Sequence, residues 1–311
     1  MSFQFARTAL VKSILSGANK QIKLLNSGHC RFIEILIFGV MQTADKSDIL
    51  IKKRSILSAF LSREVVLDFY IPQNISESQA IQLLLVNDGQ DLEKMGYSHI
   101  VDKLYTANEI TGTLLSVGIH CGTERKREYG VAGHPDYKGR GDKAAAYTSF
   151  IVKELLPYIN TIYSGYIFNE KAFAGFSLGA LAAMDIVWNH PDIFNKAGCF
   201  SSSFWWRSID QQDLDYDDDT HRIIHKQIRA GKYSSVLKFF FQCGNLDETR
   251  DRNRNGVIDS IDDTLDLIKE LVDKGYDPKK DIHYMEIKDG HHDIFTWGRA
   301  MPEFLKWAWG V

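Results

Sequence analysis

Residues 172–188 read Ala-Phe-Ala-Gly-Phe-Ser-Leu-Gly-Ala-Leu-Ala-Ala-Met-Asp-Ile-Val-Trp, and their pattern changes at Ser177. Five small and apolar residues precede the serine, and a longer alanine-rich apolar run follows it. This pattern predicts a β-strand at 172–176, a tight turn at Ser177 and a buried helix at 178–188. A serine at such a turn, within Gly-x-Ser-x-Gly, is typical of a nucleophile. The bend projects its Oγ over the carboxyl edge of the sheet, and the glycines let strand and helix pack closely.

Segments of strand length alternate with segments of helix length on both sides of this motif. Near-continuous apolar runs at 81–87 and 112–120 predict central parallel strands, because such strands are covered on both faces. The earlier segment 63–72 stops at Pro72 and predicts an edge-side strand. Further strands are predicted at 172–176, 197–201, 237–243 and 282–287, and helices at 98–110, 142–159, 178–188, 265–274 and 298–309. The alternation predicts an α/β fold, with a mainly parallel central sheet and helices on both faces.

The regular pattern begins near residue 47, so we predict one domain over residues 47–311. Residues 1–46 fit no recognisable element and are predicted to be an N-terminal extension. Two interpretations are open: the extension lacks ordered structure, or the native chain starts later, at Met41. The apolar run 32–41 is only about half the length of a membrane span. It also lies late in the chain and matches the secretory cleavage pattern poorly.

Charge and cysteine content narrow the classes of partner and compartment. The 311 residues carry 37 Lys and Arg against 40 Asp and Glu, a formal net charge of −3. This balance predicts neither nucleic acid nor an anionic membrane as a partner. The cysteines stand singly, without a C-x-x-C pair, which favours a reducing compartment and hence a cytoplasmic protein. The oligomeric state stays open.

A serine hydroxyl becomes a nucleophile when a base and an orienting carboxylate assist it. In α/β-hydrolases these three groups follow one another along the chain in the order Ser, Asp or Glu, and His. The segments after the last two predicted strands supply both types of residue, as the pairs Asp247-Glu248 and His291-His292. Both segments are expected at the same sheet edge as Ser177. Spacing alone selects neither histidine over its neighbour.

The oxyanion of a tetrahedral intermediate needs two backbone N–H donors. We predict the first from Leu178, at the start of the helix after Ser177, where the helix dipole also favours negative charge. The second is expected from the turn after an earlier strand. That turn reads Asn-Asp-Gly-Gln-Asp at 87–91, and Gln90 is the favoured donor, with Asp91 as the next choice.

These residues resemble the esterase branch of the α/β-hydrolases, which includes enterochelin esterases, feruloyl esterases and esterase D-like S-formylglutathione hydrolases. The resemblance covers roughly residues 54–309 and implies the α/β-hydrolase fold. Its G-x-H-D-x-x-x-W pattern implies His292 as the base, and its Cys-Gly-x-x-Asp pattern implies Asp247. The matching motifs are Gly175-Phe-Ser-Leu-Gly-Ala-Leu-Ala-Ala, His190-Pro-Asp-Ile-Phe, Ser201-Ser-Ser-Phe-Trp-Trp206, Glu154-Leu-Leu-Pro-Tyr-Ile159, Cys243-Gly-Asn-Leu-Asp247 and Gly290-His-His-Asp293 before Trp297.

Three further side chains are candidates for substrate binding. Trp205 and Trp206 resemble the family's Phe-Trp-Trp segment near the substrate cleft, and core packing is the alternative. Arg140, in a glycine-rich loop, is either a ligand for an acidic part of the substrate or half of a loop ion pair. The acidic segment 210–219 is either a surface loop or a lid.

Residues 251–262 read Asp-Arg-Asn-Arg-Asn-Gly-Val-Ile-Asp-Ser-Ile-Asp and match the EF-hand template. The loop resembles the calcium loop of dockerins, which also ends in Asp. The predicted oxygen ligands are Asp251, Asn253, Asn255, Val257 through its carbonyl, Asp259 and Asp262. A solvated loop that caps the next helix is the alternative. If calcium binds, we expect it to brace the loop that carries Asp247.

Together these features predict a serine hydrolase that cleaves a small-molecule carboxylic ester through an acyl-enzyme and requires no cofactor for catalysis. Two alternatives stay open. The same fold supports an acyltransferase, and it also supports a ligand-binding protein without catalysis. Ferric siderophores, aryl esters, acetylated sugars and thioesters all remain candidate substrates, because loops of unknown conformation build the acyl pocket.

Overall fold

A computed structural model describes residues 48–73 and 80–311, and the predicted extension at 1–46 lies outside these ranges. Eight strands form one sheet with the order β1-β2-β4-β3-β5-β6-β7-β8. Their bounds are β1 Ile49–Ser58, β2 Arg63–Pro72, β3 Ala80–Asn87, β4 Thr113–Ile119, β5 Ile167–Phe176, β6 Lys196–Phe200, β7 Lys238–Leu246 and β8 Ile282–His291.

The sheet is antiparallel only at one edge. β2 pairs in antiparallel fashion with both β1 and β4. From β4 through β3 and β5 to β8, every neighbouring pair is parallel. The predicted mainly parallel sheet is therefore confirmed, and the loops after β3, β5, β6, β7 and β8 leave from one common edge.

Helices and short turns connect these strands. The α-helices of the described residues are α1 Leu92–Met95, α2 Tyr97–Thr106, α3 Arg125–Glu128, α4 Ala144–Phe150, α5 Leu156–Ile162, α6 Leu178–Asn189, α7 Asp218–His221, α8 Ile223–Ala230, α9 Asp259–Lys274 and α10 Ile294–Trp309. A 3₁₀ turn, Gly89–Asp91, follows β3, and a π-helical turn, Ile151–Leu155, joins α4 to α5. In the described ranges no helix is both long and apolar enough to cross a bilayer.

Two buried clusters cover the two faces of the sheet. Alternate residues of one strand enter different clusters: Phe239 and Phe241 of β7 join the first, and Phe240 joins the second. Helix α6 packs in the first cluster and is buried from Leu178 to Trp188, while α10 packs in the second. Burial on both faces explains why the central strands read as continuous apolar runs.

The short helices α1, α3 and α7 were not predicted, and three longer elements also differ from the sequence-based prediction. β1 was not predicted, because most of its side chains are exposed and give no apolar signal. The single helix predicted at 142–159 is interrupted by the π-helical turn. Helix α8 directly follows the acidic segment 210–219 and was also missed. Within that segment, Asp217 caps α7 by accepting a hydrogen bond from the Thr220 N–H at 2.8 Å.

Candidate active site

Ser177 is the single residue between the end of β5 and the start of α6. Its backbone has φ 56° and ψ −120°, a conformation that residues other than glycine rarely adopt. Its N–H donates to the Phe200 carbonyl of β6 at 3.0 Å. The flanking glycines are required by close packing, because a Cβ on Gly175 would lie 2.4 Å from the carbonyl carbon of Gly179. The predicted tight turn is therefore present, and neighbouring backbone holds it.

The hydroxyl of Ser177 has a serine neighbour that the sequence reasoning did not single out. Ser203 Oγ lies 3.3 Å from Ser177 Oγ, and the Ser203 N–H donates to the Ser177 carbonyl at 3.2 Å. Ser203 follows β6 and is buried. The only available signal was its position in the Ser-Ser-Ser motif after that strand.

Asp247 lies at the end of β7, two strands away from Ser177 in the sheet. Its Oδ2 accepts the Gly244 N–H at 2.9 Å, while its buried Oδ1 has no hydrogen-bond partner among the described residues. Burial raises the pKa of this carboxyl, and the Gly244 N–H, the nearby Ser201 hydroxyl and His292 oppose the rise. Glu248 pairs with Arg250 at 2.9 Å instead.

His292 follows β8, the strand next to β7. One side of the residue is open to solvent, and the ring stands edge-on to Trp297 with the centroids 5.4 Å apart. Burial of the other side lowers the pKa of His292, and Asp247 is the strongest influence in the opposite direction. The structure thus brings His292 and Asp247 into electrostatic contact. No hydrogen bond joins His292 to Asp247 or Ser177 within the described ranges.

The residues after His292 fix the turn that carries it. Asp293 caps α10 by accepting the Thr296 N–H at 2.8 Å, and the Thr296 hydroxyl accepts the His291 N–H at 2.9 Å. Trp297 stacks on Phe176 with the ring centroids 4.9 Å apart. These contacts give a physical reason for the G-x-H-D-x-x-x-W spacing, because capping and stacking both orient the histidine.

Trp297 also reaches the segment after β6. Its Nε1–H donates to Ser201 Oγ at 3.0 Å. Ser201 has a positive φ of 43°, lies fully within the core and adjoins Asp247. One tryptophan therefore contacts His292, the strand before Ser177 and a serine beside Asp247.

The two predicted oxyanion donors lie on the same edge of the sheet. Leu178 is the first residue of α6, so its N–H has no acceptor within the helix. Gln90 lies in the 3₁₀ turn after β3, and its side-chain Oε1 accepts the Cys121 N–H at 3.2 Å. The turn is pressed against β4, because a Cβ on Gly89 would lie 2.2 Å from the Gly118 carbonyl carbon.

A buried ion pair beneath this turn was not predicted from the sequence. Arg125 Nε and Nη2 each donate to the Asp88 carboxylate at 2.7 Å, and Nη2 also reaches the Phe176 carbonyl at 3.3 Å. Asp88 in turn packs against the start of α6, where a Cβ on Gly179 would lie 2.8 Å from its Oδ2. The pair therefore ties the turn after β3 to the turn at Ser177.

The three predicted substrate-binding side chains differ in accessibility. Trp206 is completely buried and donates through Nε1 to the His134 carbonyl at 3.0 Å, so the structure assigns it to core packing. Trp205 is partly buried, and the Arg140 guanidinium stands 4.7 Å from its ring centroid. Arg140 also pairs with buried Asp136, which is the loop ion pair foreseen as its alternative role.

The predicted ion loop gathers four of its six ligand positions. Asn253 and Asn255 both donate through their amides to Asp262 Oδ2 at 2.9 Å. Asp251 accepts the Asn255 and Gly256 N–H groups at 3.1 and 2.9 Å. Two of these four side chains, Asn253 and Asn255, are amides. Nowhere in the described ranges do three or more His, Cys, Asp or Glu side chains form a group that could hold a metal ion.

The remaining two ligand positions behave differently. Asp259 is buried, and its Oδ1 accepts the N–H of Arg252 in the same loop at 2.7 Å. Val257 donates its N–H to Asn255 Oδ1 at 2.7 Å, and its carbonyl would be the ligand. The Arg252 guanidinium lies 2.9 Å from Asp218 and from Asp263, and 3.4 Å from Asp259 Oδ1. It therefore offsets part of the negative charge of Asp259, one of the predicted ligands.

The family model described as "Putative esterase" matches residues 58–308 of this chain. The chain belongs to this esterase family. The family resemblance seen in the motifs is confirmed, and the predicted enzyme class, a carboxylic ester hydrolase, is the class that its description names.

One curated protein and several solved structures are similar to this chain. The uncharacterized protein YjcH of Bacillus subtilis (strain 168) is 26% identical over 259 residues, which cover 82% of this chain and 96% of YjcH. The enterobactin esterase FES of Shigella flexneri, solved in the presence of enterobactin, superposes with a TM-score of 0.64 at 18% identity. That match covers 83% of this chain and 58% of FES, so the chain spans under two thirds of FES.

A third similar structure is the IroE-like serine hydrolase of Shewanella oneidensis, with a TM-score of 0.62 and 17% identity. It covers 83% of this chain and 79% of its own. At these identities the superpositions establish the fold, and the predicted α/β-hydrolase fold is confirmed.

Proposed function

We propose that the chain hydrolyses a small-molecule carboxylic ester through a Ser177–His292–Asp247 triad and an acyl-enzyme. The observation that carries this proposal is the strained backbone of Ser177 at the β5–α6 turn, because such strain persists where a surrounding structure requires it. Ser177 Oγ attacks the acyl carbon while His292 accepts its proton. His292 then protonates the leaving alcohol, and water releases the acid by the same steps.

The protonation states of the two partners support these roles. A lowered pKa keeps His292 neutral near pH 7, as a general base must be. The unpartnered Oδ1 of Asp247 is the acceptor that a ring N–H of His292 would use, which orients the ring and stabilises the imidazolium. Catalytic hydrogen bonds often tighten only when substrate binds, so those of the triad would form in the substrate complex.

Charge on the acyl oxygen is stabilised by backbone donors in this proposal. The N–H groups of Leu178 and Gln90 would hold the oxyanion, and the dipole of α6 favours negative charge at the same point. The Arg125–Asp88 pair would act by keeping the Gln90 turn against α6, rather than by touching the substrate.

Active-site labelling tests the nucleophile. A fluorophosphonate should modify the folded wild-type protein at Ser177 and leave Ser177→Ala unlabelled, with ester hydrolysis lowered by about 10⁴-fold or more. Ser203→Ala is the matched control, because Ser203 lies beside Ser177 and should not carry the label. Labelling of Ser203 in place of Ser177, or full activity of Ser177→Ala, would overturn the triad.

Transfer of the acyl group to an alcohol acceptor remains the second candidate for this fold. Product analysis with water and a sugar alcohol in competition separates the two, since hydrolysis releases only the free acid. A ligand-binding role without catalysis predicts neither product.

We also propose a structural Ca²⁺ in the loop 251–262. Asp251, Asn253, Asn255 and Asp262 would hold it through side-chain oxygens, with the carbonyl of Val257 as a fifth donor. The ion would replace the amide-to-carboxylate contacts that now close the loop. Its contribution is to fix the β7–α9 connection that begins at Asp247.

A further inference from the structure

A cavity of about 620 Å³ opens between three loops at the carboxyl edge of the sheet. The glycine-rich loop, the segment after β6 and the loop after β7 each supply part of its wall. Its lining includes Tyr137, Lys138, Arg207, Asp210, Arg250 and Arg252. Polar and charged groups dominate this wall, so the cavity suits a charged group better than an apolar one.

Arg207 stands out in this cavity because it is charged, buried and unpaired. Only 8% of the residue is exposed. Across the described ranges no carboxylate lies within 4.0 Å of its guanidinium, and its buried Nε has no acceptor. Asp210 interacts with the Arg207 charge only from beyond ion-pair distance. A buried charge without a close partner is costly, so its position favours a further anion from outside the chain.

Aromatic rings hold this guanidinium in place. Its central carbon lies 5.8 Å from the ring centroid of Tyr137 and 5.9 Å from those of Trp205 and Tyr216. Rings at this distance attract the cation and restrict its rotation. They offer no hydrogen-bond acceptor to its N–H groups, so the donors stay available for a bidentate contact with a carboxylate.

The acidic groups of the cavity accept hydrogen bonds from other groups, and the Gln212 N–H together with the charges of Arg207 and Lys138 lowers the pKa of Asp210. Asp210 accepts the Gln212 N–H at 3.1 Å, Asp251 accepts N–H groups of its own loop, and Asp259 accepts the Arg252 N–H. Among the other cations, Arg250 pairs with Glu248 and Arg252 with Asp218. Lys138 has no ion pair in the described residues and contacts the face of Tyr137.

Two chain segments lead from the proposed triad to residues that line the cavity. Arg207 follows Ser203 by four residues, and Ser203 Oγ lies 3.3 Å from Ser177 Oγ. Arg250 follows Asp247 by three residues. Four residues span at most about 14 Å of chain, which limits how far Arg207 lies from Ser203 and hence from Ser177.

We propose that Arg207 binds a carboxylate of the substrate, so that the preferred ester carries a second, anionic group beside the bond that is cleaved. This inference rests on the proposed ester hydrolysis at Ser177. The carboxylate belongs either to the acyl part or to the leaving alcohol, and both present the same two oxygens to the guanidinium.

Matched esters test the preference in the full chain. Mono-4-nitrophenyl glutarate carries the carboxylate in its acyl part, 4-carboxyphenyl butyrate carries it in the leaving group, and 4-nitrophenyl and phenyl butyrate are the respective neutral references. In Arg207→Gln, the ratio of kcat/KM for the favoured anionic ester over its neutral reference should fall roughly 10- to 100-fold, as expected for a lost charge-assisted hydrogen bond. Arg207→Lys should retain part of that ratio, and exposed Arg54→Gln all of it.

Direct binding separates this subsite from the esterase activity. Glutarate added to Ser177→Ala should quench tryptophan fluorescence, because Trp205 adjoins Arg207, and Ser177→Ala/Arg207→Gln should lose the response. Saturable quenching without any ester hydrolysis would retain the subsite and reject the proposed function. Hydrolysis whose anionic-to-neutral ratio does not depend on Arg207, together with no glutarate response, would overturn the subsite alone.

Discussion

Three residues with side chains adopt positive φ at strand ends around the proposed site. They are Asp88 after β3, Ser177 after β5 and Ser201 after β6, with φ of 58°, 56° and 43°. Each such conformation costs on the order of 1–3 kcal/mol and persists when surrounding contacts require it. Here the contacts are the Arg125 pair, the Phe200 carbonyl and the Trp297 indole. Strain at three adjacent strand ends is consistent with a pre-organised site.

The pKa of His292 predicts how hydrolysis depends on pH. Only the neutral ring can accept the Ser177 proton, and the pKa of His292 is lowered from its ordinary 6.5. We therefore expect kcat/KM to fall on the acid side with a slope of one and a midpoint below pH 6.5. A pH–rate profile with a neutral ester measures the midpoint.

The variant Asp247→Asn should shift the acidic midpoint of the pH–rate profile in a known direction. The Asp247 charge raises the pKa of His292, so its removal should move the acidic midpoint to still lower pH. The rate on the plateau should fall by about 10³- to 10⁴-fold, because the imidazolium loses its partner. Glu248→Gln should leave the plateau within a few-fold of wild type. A midpoint that rises in Asp247→Asn would contradict this assignment.

Residues of the proposed site could be predicted where the pattern that identifies them lies in the neighbouring sequence. Ser177 is fixed by a strand, a turn and a helix within seventeen residues, and Asp247 and the histidines follow strands directly. Arg125 contacts Asp88 from 37 positions away, and Trp297 reaches Ser201 across 96. Arg207 carries no motif at all. Such contacts depend on how loops meet in space, which spacing along the chain does not encode.

At the scale of elements, the β7–α9 connection joins the proposed carboxylate to the periphery. It begins at Asp247, forms the loop 251–262 and enters α9. Arg252 links this loop to Asp218 of α7 and Asp263 of α9, both at 2.9 Å. Sequence predicted the loop through its EF-hand spacing. β1 gave no apolar signal because it is mostly exposed. Helix α8 is amphipathic, and it was missed because it is only eight residues long and comes soon after an acidic run.

The calcium proposal predicts a stability change that depends on the loop. Ca²⁺ present at about 100-fold over its dissociation constant should stabilise the folded wild-type protein by about 2.7 kcal/mol. Asp262→Asn should lose most of this gain, since Asp262 is one of two carboxylates in the ligand set. Asp273→Asn, on the exposed face of the same helix, should keep it. Thermal unfolding with CaCl₂, MgCl₂ and chelator measures the shift.

Two outcomes would refute the calcium loop. One is an equal shift in Asp262→Asn and wild type, which would move the effect to another part of the protein. The other is no difference between Ca²⁺ and chelator, which would leave a loop closed by its own amide contacts.

At the scale of the whole molecule, the parallel sheet brings residues that are distant in sequence to the same edge. Loops after β3, β5, β6, β7 and β8 leave from one edge, so residues from 88 to 292 meet there. The cores on both faces supply the rigidity that holds this edge. The sheet itself was predictable from apolar runs, whereas the charged packing between peripheral helices was not.

His225 lies in that peripheral packing and predicts how folding responds to acid. It is completely enclosed between α8 and α9, and its Nε2–H donates to the Asp263 carbonyl at 2.8 Å. Its Nδ1 has no partner in the described part of the chain. Burial, with Arg222, Arg252 and Arg229 nearby, lowers the pKa of His225 from 6.5 to about 3.

His225 makes the folded protein less stable as pH falls, because the unfolded chain takes up a proton at this residue. Between pH 6.5 and 3 the unfolded state binds a proton at His225 that the folded state rejects, so this residue destabilises the fold as pH falls. The loss reaches about 1.4 kcal/mol per pH unit. Asp185 and Asp263 act oppositely, because burial raises the pKa of each to about 6 and the folded state binds their protons first.

Because His225 opposes Asp185 and Asp263, the pH dependence of wild-type stability does not reveal the contribution of His225. A variant without the histidine isolates that contribution. His225→Gln keeps a donor for the Asp263 carbonyl but cannot titrate. Its free energy of unfolding relative to wild type should therefore rise by roughly 2–3 kcal/mol between pH 6.5 and 4.5. Exposed His99→Gln should show no such trend. Urea unfolding across this range measures the difference, and a constant offset would mean that His225 already binds its proton in the folded protein.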